Sequence, residues 1–211
     1  MQSSVEFMQS FVNDLLDLRQ MKLANFCLEY KPFDLISTLR NIAEIFEPQI
    51  MQAKVKFVIH VQGVRLWYED VNSCSQLLPR LIGDERRLKQ VLINLIRNAM
   101  KFTQKGQVSI SASYNKQRGF EDNILHIQVR DTGAGIAAED LPKLFTPFSK
   151  LKKTEDLNSD GLGLGLTIVK QIVELAGGAI SAHSEGLGKG STFSFTMRLQ
   201  ALNKTDSETS F

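Results

Sequence analysis

The chain has little of what usually announces a metal centre or a covalent framework. Its two cysteines, Cys27 and Cys74, are too far apart for metal-ligand spacing and read as free thiols in a reducing compartment. Its three histidines, His60, His126 and His183, are scattered singly, which argues against a zinc site. No run of about eighteen apolar residues occurs, so no segment is expected to span a membrane. The N-terminus lacks the basic-then-apolar pattern of a secretory signal. An excess of one charge sign is missing too. With 25 Lys and Arg against 23 Asp and Glu, the net charge is +2, which gives no electrostatic reason to expect nucleic acid as a partner.

What is present suits one sizeable globular domain with a small appendage: 211 residues, 43% of them hydrophobic. The most informative stretch is Asp84–Phe102, DERRLKQVLINLIRNAMKF. Asp84 after Gly83 is a good helix N-cap, and Glu85 adds negative charge to the first turn. At helical spacing Leu92, Leu95, Ile96, Ala99 and Met100 share one side, while Gln90, Asn94, Arg97, Asn98 and Lys101 share the other. Asparagine is a mediocre helix former because its side chain competes for nearby backbone groups. Two of them a turn apart, with a lysine following, read either as a solvated face or as a cation and phosphate site. In the second reading amide oxygens coordinate Mg²⁺ without adding negative charge, since Mg²⁺ takes few protein ligands and keeps phosphates and waters. The lysine then reaches a phosphate as a point charge.

Upstream, Met1–Phe26 reads as a helix with two apolar stripes. Val5, Met8, Val12 and Leu15 form a heptad-like seam, and Phe7, Phe11 and Leu18 form the other. Two stripes call for a helical bundle. Phe26–Phe33 alternates as an edge strand with Pro32 at its exit. Asp34–Gln52 has helical spacing, with Pro48 an awkward member. Lys54–Gln62 alternates as a strand, with Val55, Phe57, Ile59 and Val61 inward and His60 on a solvated side. Gly63–Leu81 has no clear period and reads as a long connection, with a short strand near Leu78–Ile82.

Downstream, Gln107–Tyr114 and Ile124–Asp131 read as strands joined by a polar loop. Asp131-Thr-Gly-Ala-Gly-Ile136 puts an acid at a strand end before two glycines, which allow close backbone approach. Such a carboxylate suits the exocyclic amine of a purine; an ordinary turn also fits. Ala137–Phe145 is expected to be a short helix. Ser149–Asp160 is polar and charged, with Lys150, Lys152 and Lys153, and reads as a mobile loop. Gly161-Leu-Gly-Leu-Gly-Leu166 runs straight into a helix, Leu166–Ala176, which presents free N–H groups to an anion. It is not a Walker loop, because no Gly-Lys-Ser/Thr follows. Ala179–Ser184 and Ser191–Leu199 close the chain as a hairpin, and Ala201–Phe211 reads as a frayed tail.

Taken in order, NLIRNAMKF, DTGAGI, LFTPF, GLGLGL and GKGSTF resemble the asparagine box, the first glycine box, the phenylalanine box, the second glycine box and the closing motif of histidine kinases. That family shares a superfamily with gyrase and the heat-shock chaperone ATPases. The resemblance implies an α/β two-layer sandwich, a mixed sheet covered on one face by helices, with ATP bound under a lid. It implies Mg²⁺ coordination by Asn98 with Asn94 in support, and phosphate contact by Lys101. Asp131 would read the adenine amine, with Gly133, Gly135 and Ile136 lining the pocket and Thr192 near the same edge. Gly161, Gly163 and Gly165, with Leu162 and Leu164 between them, would form the lid hinge and phosphate-facing turn. Phe145 and Phe148 would anchor the lid.

FVNDLLDL followed by LEYKPFDL resembles the second helix of a dimerisation bundle entering the catalytic domain. The expected division is residues 1–28 for that helix, 29–200 for the ATP-binding domain and 201–211 for the tail. The bundle helix with the phosphorylated histidine is missing from the sequence, and none of His60, His126 and His183 sits on a helix. The resemblance therefore implies part of a longer kinase. Its expected partners are ATP, the phosphoacceptor-bundle helix, a response-regulator receiver domain and a second copy in the full-length dimer, with no nucleic acid. The expected location is cytoplasmic, any membrane anchor lying in upstream segments. Two rival functions are an ATPase that drives a clamp and a nucleotide-sensing module that transfers nothing. Relatives of the first kind carry a glutamate base where this chain has Asn94, and an amide cannot take a proton from water.

Overall fold

A computed structural model describes residues 27–53, 55–61, 64–67, 81–116, 122–149 and 163–201. Eight strands form one mixed sheet: β1 (Lys31–Phe33), β2 (Lys56–Val61), β3 (Val64–Trp67), β4 (Leu81–Gly83), β5 (Gln107–Lys116), β6 (Asp122–Asp131), β7 (Ile180–His183) and β8 (Ser191–Ala201). The order across the sheet is β1-β4-β8-β6-β5-β2-β3, with β7 also pairing to β8. Among the described residues only β2 and β5 pair in parallel; the other pairings are antiparallel. Three helices complete the layer: α1 (Leu35–Ala53), α2 (Glu85–Phe102) and α3 (Gly165–Leu175).

The alternation of the strands decides which face the helices cover. Leu125, Ile127 and Val129 of β6, and Phe193, Phe195, Met197 and Leu199 of β8, are buried. The residues between them, such as Gln128, Arg130 and Arg198, are exposed. α2 packs on β5 and β6 between α1 and α3. Leu88, Val91, Leu92, Leu95 and Ile96 are fully buried, each contributing about 1.5–3 kcal/mol relative to exposure. The N-cap is as expected: Arg87 N–H donates to Asp84 Oδ1 at 2.9 Å.

Four expectations need correction. β1 holds only three residues, and Pro32 lies inside it, which an edge strand tolerates because a missing N–H there interrupts no inner ladder. Gly63–Leu81 is not connection throughout up to its final strand: Val64–Trp67 forms β3, antiparallel to β2. Ala137–Phe145 is not an α-helix but a chain of turns around a 3₁₀ segment, Leu141–Lys143. Pro142 has no N–H for an i−4 bond, so the N–H groups of Asp140, Lys143 and Thr146 bond three residues back instead. His60 is half-buried with Nε2 shielded and unbonded, and Val58 on the same face of β2 is fully buried. α1 continues through Pro48. The expected N-terminal helix, most of Gly63–Leu81 and the tail after Ala201 lie outside the described residues.

Candidate functional site

The site lies where the polar stripe of α2 meets the start of α3, the end of β6 and the start of β8. Asn94 and Asn98 sit one turn apart on α2, and Asn98 Nδ2 donates to Asn94 Oδ1 at 3.4 Å. Opposite them stands Gly165, the first residue of α3. A Cβ there would lie 2.4 Å from Asn94 Nδ2, so glycine is what lets the two helices approach with the amide between them. The N-cap residue Leu164 supplies no side-chain bond to the first turn of α3. That turn therefore offers donors and the positive end of the helix dipole beside the two amides.

Asp131 ends β6 and is buried, at 4% exposure. Gly133 N–H donates to its Oδ1 at 2.8 Å, and the Ser191 hydroxyl donates to its Oδ2. A carboxylate offers about four acceptor positions, so these two donors leave room for a ligand amine. The following loop is pinned from three sides. Ala134 N–H donates to Phe102 O at the end of α2 (3.0 Å), Gly188 N–H to Ala134 O (2.7 Å) and Gly190 N–H to Gly133 O (3.1 Å). Ser184 Oγ accepts from Ile136 N–H at 3.0 Å and donates to Gly190 O at 2.7 Å. Gly135 has φ +69°, and a Cβ on it would stand 2.0 Å from Gly186 O. Only glycine fits there.

The 3₁₀ segment leads to the aromatic pair. Phe145 meets Phe193 edge to face, with ring centroids 6.5 Å apart. Phe148 is 68% exposed with φ +60°, and its N–H donates to Gly163 O at 3.1 Å. That bond ties the two ends of the intervening chain together. Lys101, in the last turn of α2, has Nζ 5.6 Å from the Phe102 ring centroid.

Of the residues expected at the site, the structure gathers Asn94, Asn98 and Gly165 at one end. It gathers Asp131, Gly133, Gly135 and the buried Ile136 at the other. Leu164, 1% exposed, is a core residue by its side chain. Thr192 pairs with Arg130 and His183, on the sheet face opposite Asp131. The hydroxyl that reaches the carboxylate belongs to Ser191, in register with Asp131. Parity from buried Phe193 marks Ser191 as the inward residue. Ser184 had no signal beyond its place before GLGKG. Gly161, Leu162 and nearly all of the expected lid, Ser149–Asp160, lie outside the described residues.

Among the described residues no cluster of three His, Cys, Asp or Glu side chains could cage a metal ion. A divalent cation would therefore depend on few protein ligands plus ligand phosphates. The amide pair beside the uncapped start of α3 has the chemistry for that.

Residues 83–201 match the family of histidine kinase-, DNA gyrase B-, and HSP90-like ATPases, and the chain belongs to it. Within that family its relatives are histidine kinases. It is 37% identical over 191 residues to the autoinducer 2 sensor kinase/phosphatase LuxQ of Vibrio vulnificus (strain CMCP6), a match that spans 90% of this chain and 21% of LuxQ. The crystal structure of full-length ShkA in complex with AMPPNP superposes with a TM-score of 0.74 and 30% identity, over 95% of this chain and 38% of ShkA. The nucleotide-free catalytic domain of histidine kinase ThkA gives 0.58 and 27%, over 81% of this chain and 97% of that domain. Among the described residues no helix is long and apolar enough to cross a membrane.

Proposed function

We propose that this chain is the part of a sensor histidine kinase that binds Mg²⁺ and ATP and presents the γ-phosphate to a histidine on an upstream helix of a longer parent. The observation that carries the reading is the junction of α2 and α3, where Asn94 packs against Gly165 at an uncapped helix start. The first turn of α3 is suited to the phosphates. Asp131 is suited to the adenine amine: guanine presents a carbonyl at that position, which would leave acceptor facing acceptor. Asn98, with Asn94 beside it, would hold Mg²⁺, which when bound neutralises phosphate charge. The protein's own contribution is placement and charge neutralisation for in-line transfer.

The phosphoacceptor helix, a receiver domain as onward partner, the bundle-type nature of residues 1–28 and dimerisation of the parent belong to the same proposal. So does a cytoplasmic location. They rest on the family and on the resemblance of the N-terminal segment to a dimerisation helix. Titration calorimetry with ATP, ADP and GTP, with and without Mg²⁺, tests the central reading. Mg²⁺-dependent binding of both adenine nucleotides is expected, and equal affinity for ATP and GTP would sink the assignment of Asp131.

A further inference from the structure

We propose that Asp84 is a positioning residue: its carboxylate fastens the chain entering the catalytic domain to the first turn of α2, and so sets where upstream residues stand relative to the nucleotide face of that helix. The consequence for catalysis rests on the histidine kinase reading above; the fastening itself does not.

A helix N-cap needs one oxygen, and Asp84 uses Oδ1 for it, accepting from Arg87 N–H at 2.9 Å. Its other oxygen, Oδ2, accepts from the backbone N–H of Glu29 at 3.0 Å, 55 residues earlier in the chain. Asp84 is buried, at 6% exposure, so both bonds are made to a charged acceptor shielded from water. Glu29 lies in the segment that joins residues 1–26 to the domain. On one side Leu28 packs on the core. On the other, β1 pairs with β4, Lys31 opposite Gly83. A Cβ at Gly83 would stand 2.6 Å from Leu199 and 3.2 Å from Phe33, so the backbone carrying Asp84 is tightly seated.

From that seat α2 runs on without a break to Phe102. Asn94 and Asn98 follow at about 15 and 21 Å along the axis, at 1.5 Å per residue. The helix cannot turn on its own, because Leu88, Val91, Leu92 and Leu95 are fully buried along it. One carboxylate thus holds both the entering strand and the rod that carries the amide pair. Without the Oδ2 bond the cap survives, while the entering segment loses its direct tie to the rod.

Asp84→Ser separates the two roles. Serine is as good an N-cap as aspartate, but it has a single, shorter-reaching oxygen and cannot serve Glu29 as well. Asp84→Ala, which loses both bonds, is the control. On this chain, the serine variant is expected to keep its affinity for an ATP analogue and to melt at a higher temperature than the alanine variant, because it retains the cap. Its Glu29 amide is expected to exchange about tenfold faster or more, the low end for losing a bond to a charged group. The alanine variant is expected to show the same exchange and a lower melting temperature. In the longer protein carrying the phosphoacceptor, Asp84→Ser is expected to lower kcat for phosphoryl transfer with KM for ATP unchanged. Unchanged Glu29 exchange in the serine variant would overturn the fastening. Parallel changes in kcat and KM, or unchanged kcat, would overturn its role in positioning. If the wild-type chain bound no ATP, the kinase reading would fail, and the exchange data would still decide the fastening.

Discussion

Replacing Gly165 by alanine tests whether the junction of α2 and α3 is the ligand site. The new Cβ would stand 2.4 Å from Asn94 Nδ2 and 3.0 Å from Asn94 Oδ1, so one partner has to give. Retreat of α3 would disturb Ile168, Val169, Ile172 and Val173, all buried, at about 1–3 kcal/mol for an overpacked core. Moving the end of the Asn94 side chain costs less, about 0.5–1.5 kcal/mol for a strained rotamer. Alanine returns up to about 1 kcal/mol over glycine in a helix. Stability is therefore expected to change by less than about 1 kcal/mol, because the two effects oppose each other. Binding has no such offset. An amide turned away from the start of α3 forfeits about 1.5–3 kcal/mol if it serves a charged ligand, or roughly 10- to 150-fold in Kd. Calorimetry with a non-hydrolysable ATP analogue, paired with thermal melting, reads both quantities. Affinity within about twofold of wild type, with the melting temperature also unchanged, would refute the placement of the ligand at this junction.

Three other substitutions probe separate parts of the site. Asn98→Ala is expected to weaken Mg²⁺-dependent ATP binding more than Asn94→Ala, and normal calorimetric titrations for both would mean that the polar stripe is only a wet surface. Ser191→Ala removes a donor from the buried Asp131 carboxylate and is expected to cost about 1–3 kcal/mol of stability. Thr192→Ala, on the opposite face, is expected to stay within about 0.5 kcal/mol; equal urea midpoints would contradict the assignment. Burial alone would raise the Glu85 carboxyl, but hydrogen bonds from Lys89 and Thr38 and the Lys89 charge together outweigh it and hold the group below 4.5. A folded value below the unfolded one means stability that is present above about 4.5 and lost as pH falls through the folded value. The acid limb of a stability–pH curve should therefore flatten in Glu85→Gln, and an unchanged limb would exclude the link.

The sequence carried the site's chemistry further than its geometry. Helical spacing separated the buried and polar sides of α2, and alternation placed Leu125, Ile127 and Val129 inward, because both patterns arise from backbone periods that a linear sequence preserves. That Ser191 rather than Thr192 shares the face of Asp131 is legible by the same parity, counted from Phe193, whereas the motif alone draws attention to Thr192. Other features were not legible. That Ser184 ties two loops together depends on how a hairpin folds back on another strand's end. Alternation with apolar neighbours puts His60 on a wet face, but Val58 on its own side is buried, so alternation on β2 does not divide protein from water. The turns of Ala137–Phe145 show the limit of a helical pattern: Leu141 and Leu144 still face the core, but Pro142 prevents the α-helical bonds that the spacing invites.

The distribution of rigidity explains why Asp131 and the donors of α3, unlike the mid-helix Asn94 and Asn98, sit at the ends of elements. Asp131 stands where β6 stops, the α3 donors where a helix begins, and the DTGAGI loop is bonded to the last carbonyl of α2. Each has groups free to bond because an element ends there, yet each is fixed because the element behind it is buried. What these groups can do follows from their types. Asn94 and Asn98 donate through their amide nitrogens and accept through their oxygens, but neither can remove a proton from water at neutral pH. A site built from amides, helix-start N–H groups and one buried carboxylate at the far end is equipped to hold a polyphosphate still. Among the described residues, neither amide of the pair can activate water against it. Holding ATP without rapid hydrolysis is what a phosphoryl donor needs while its acceptor, on another element, comes into line.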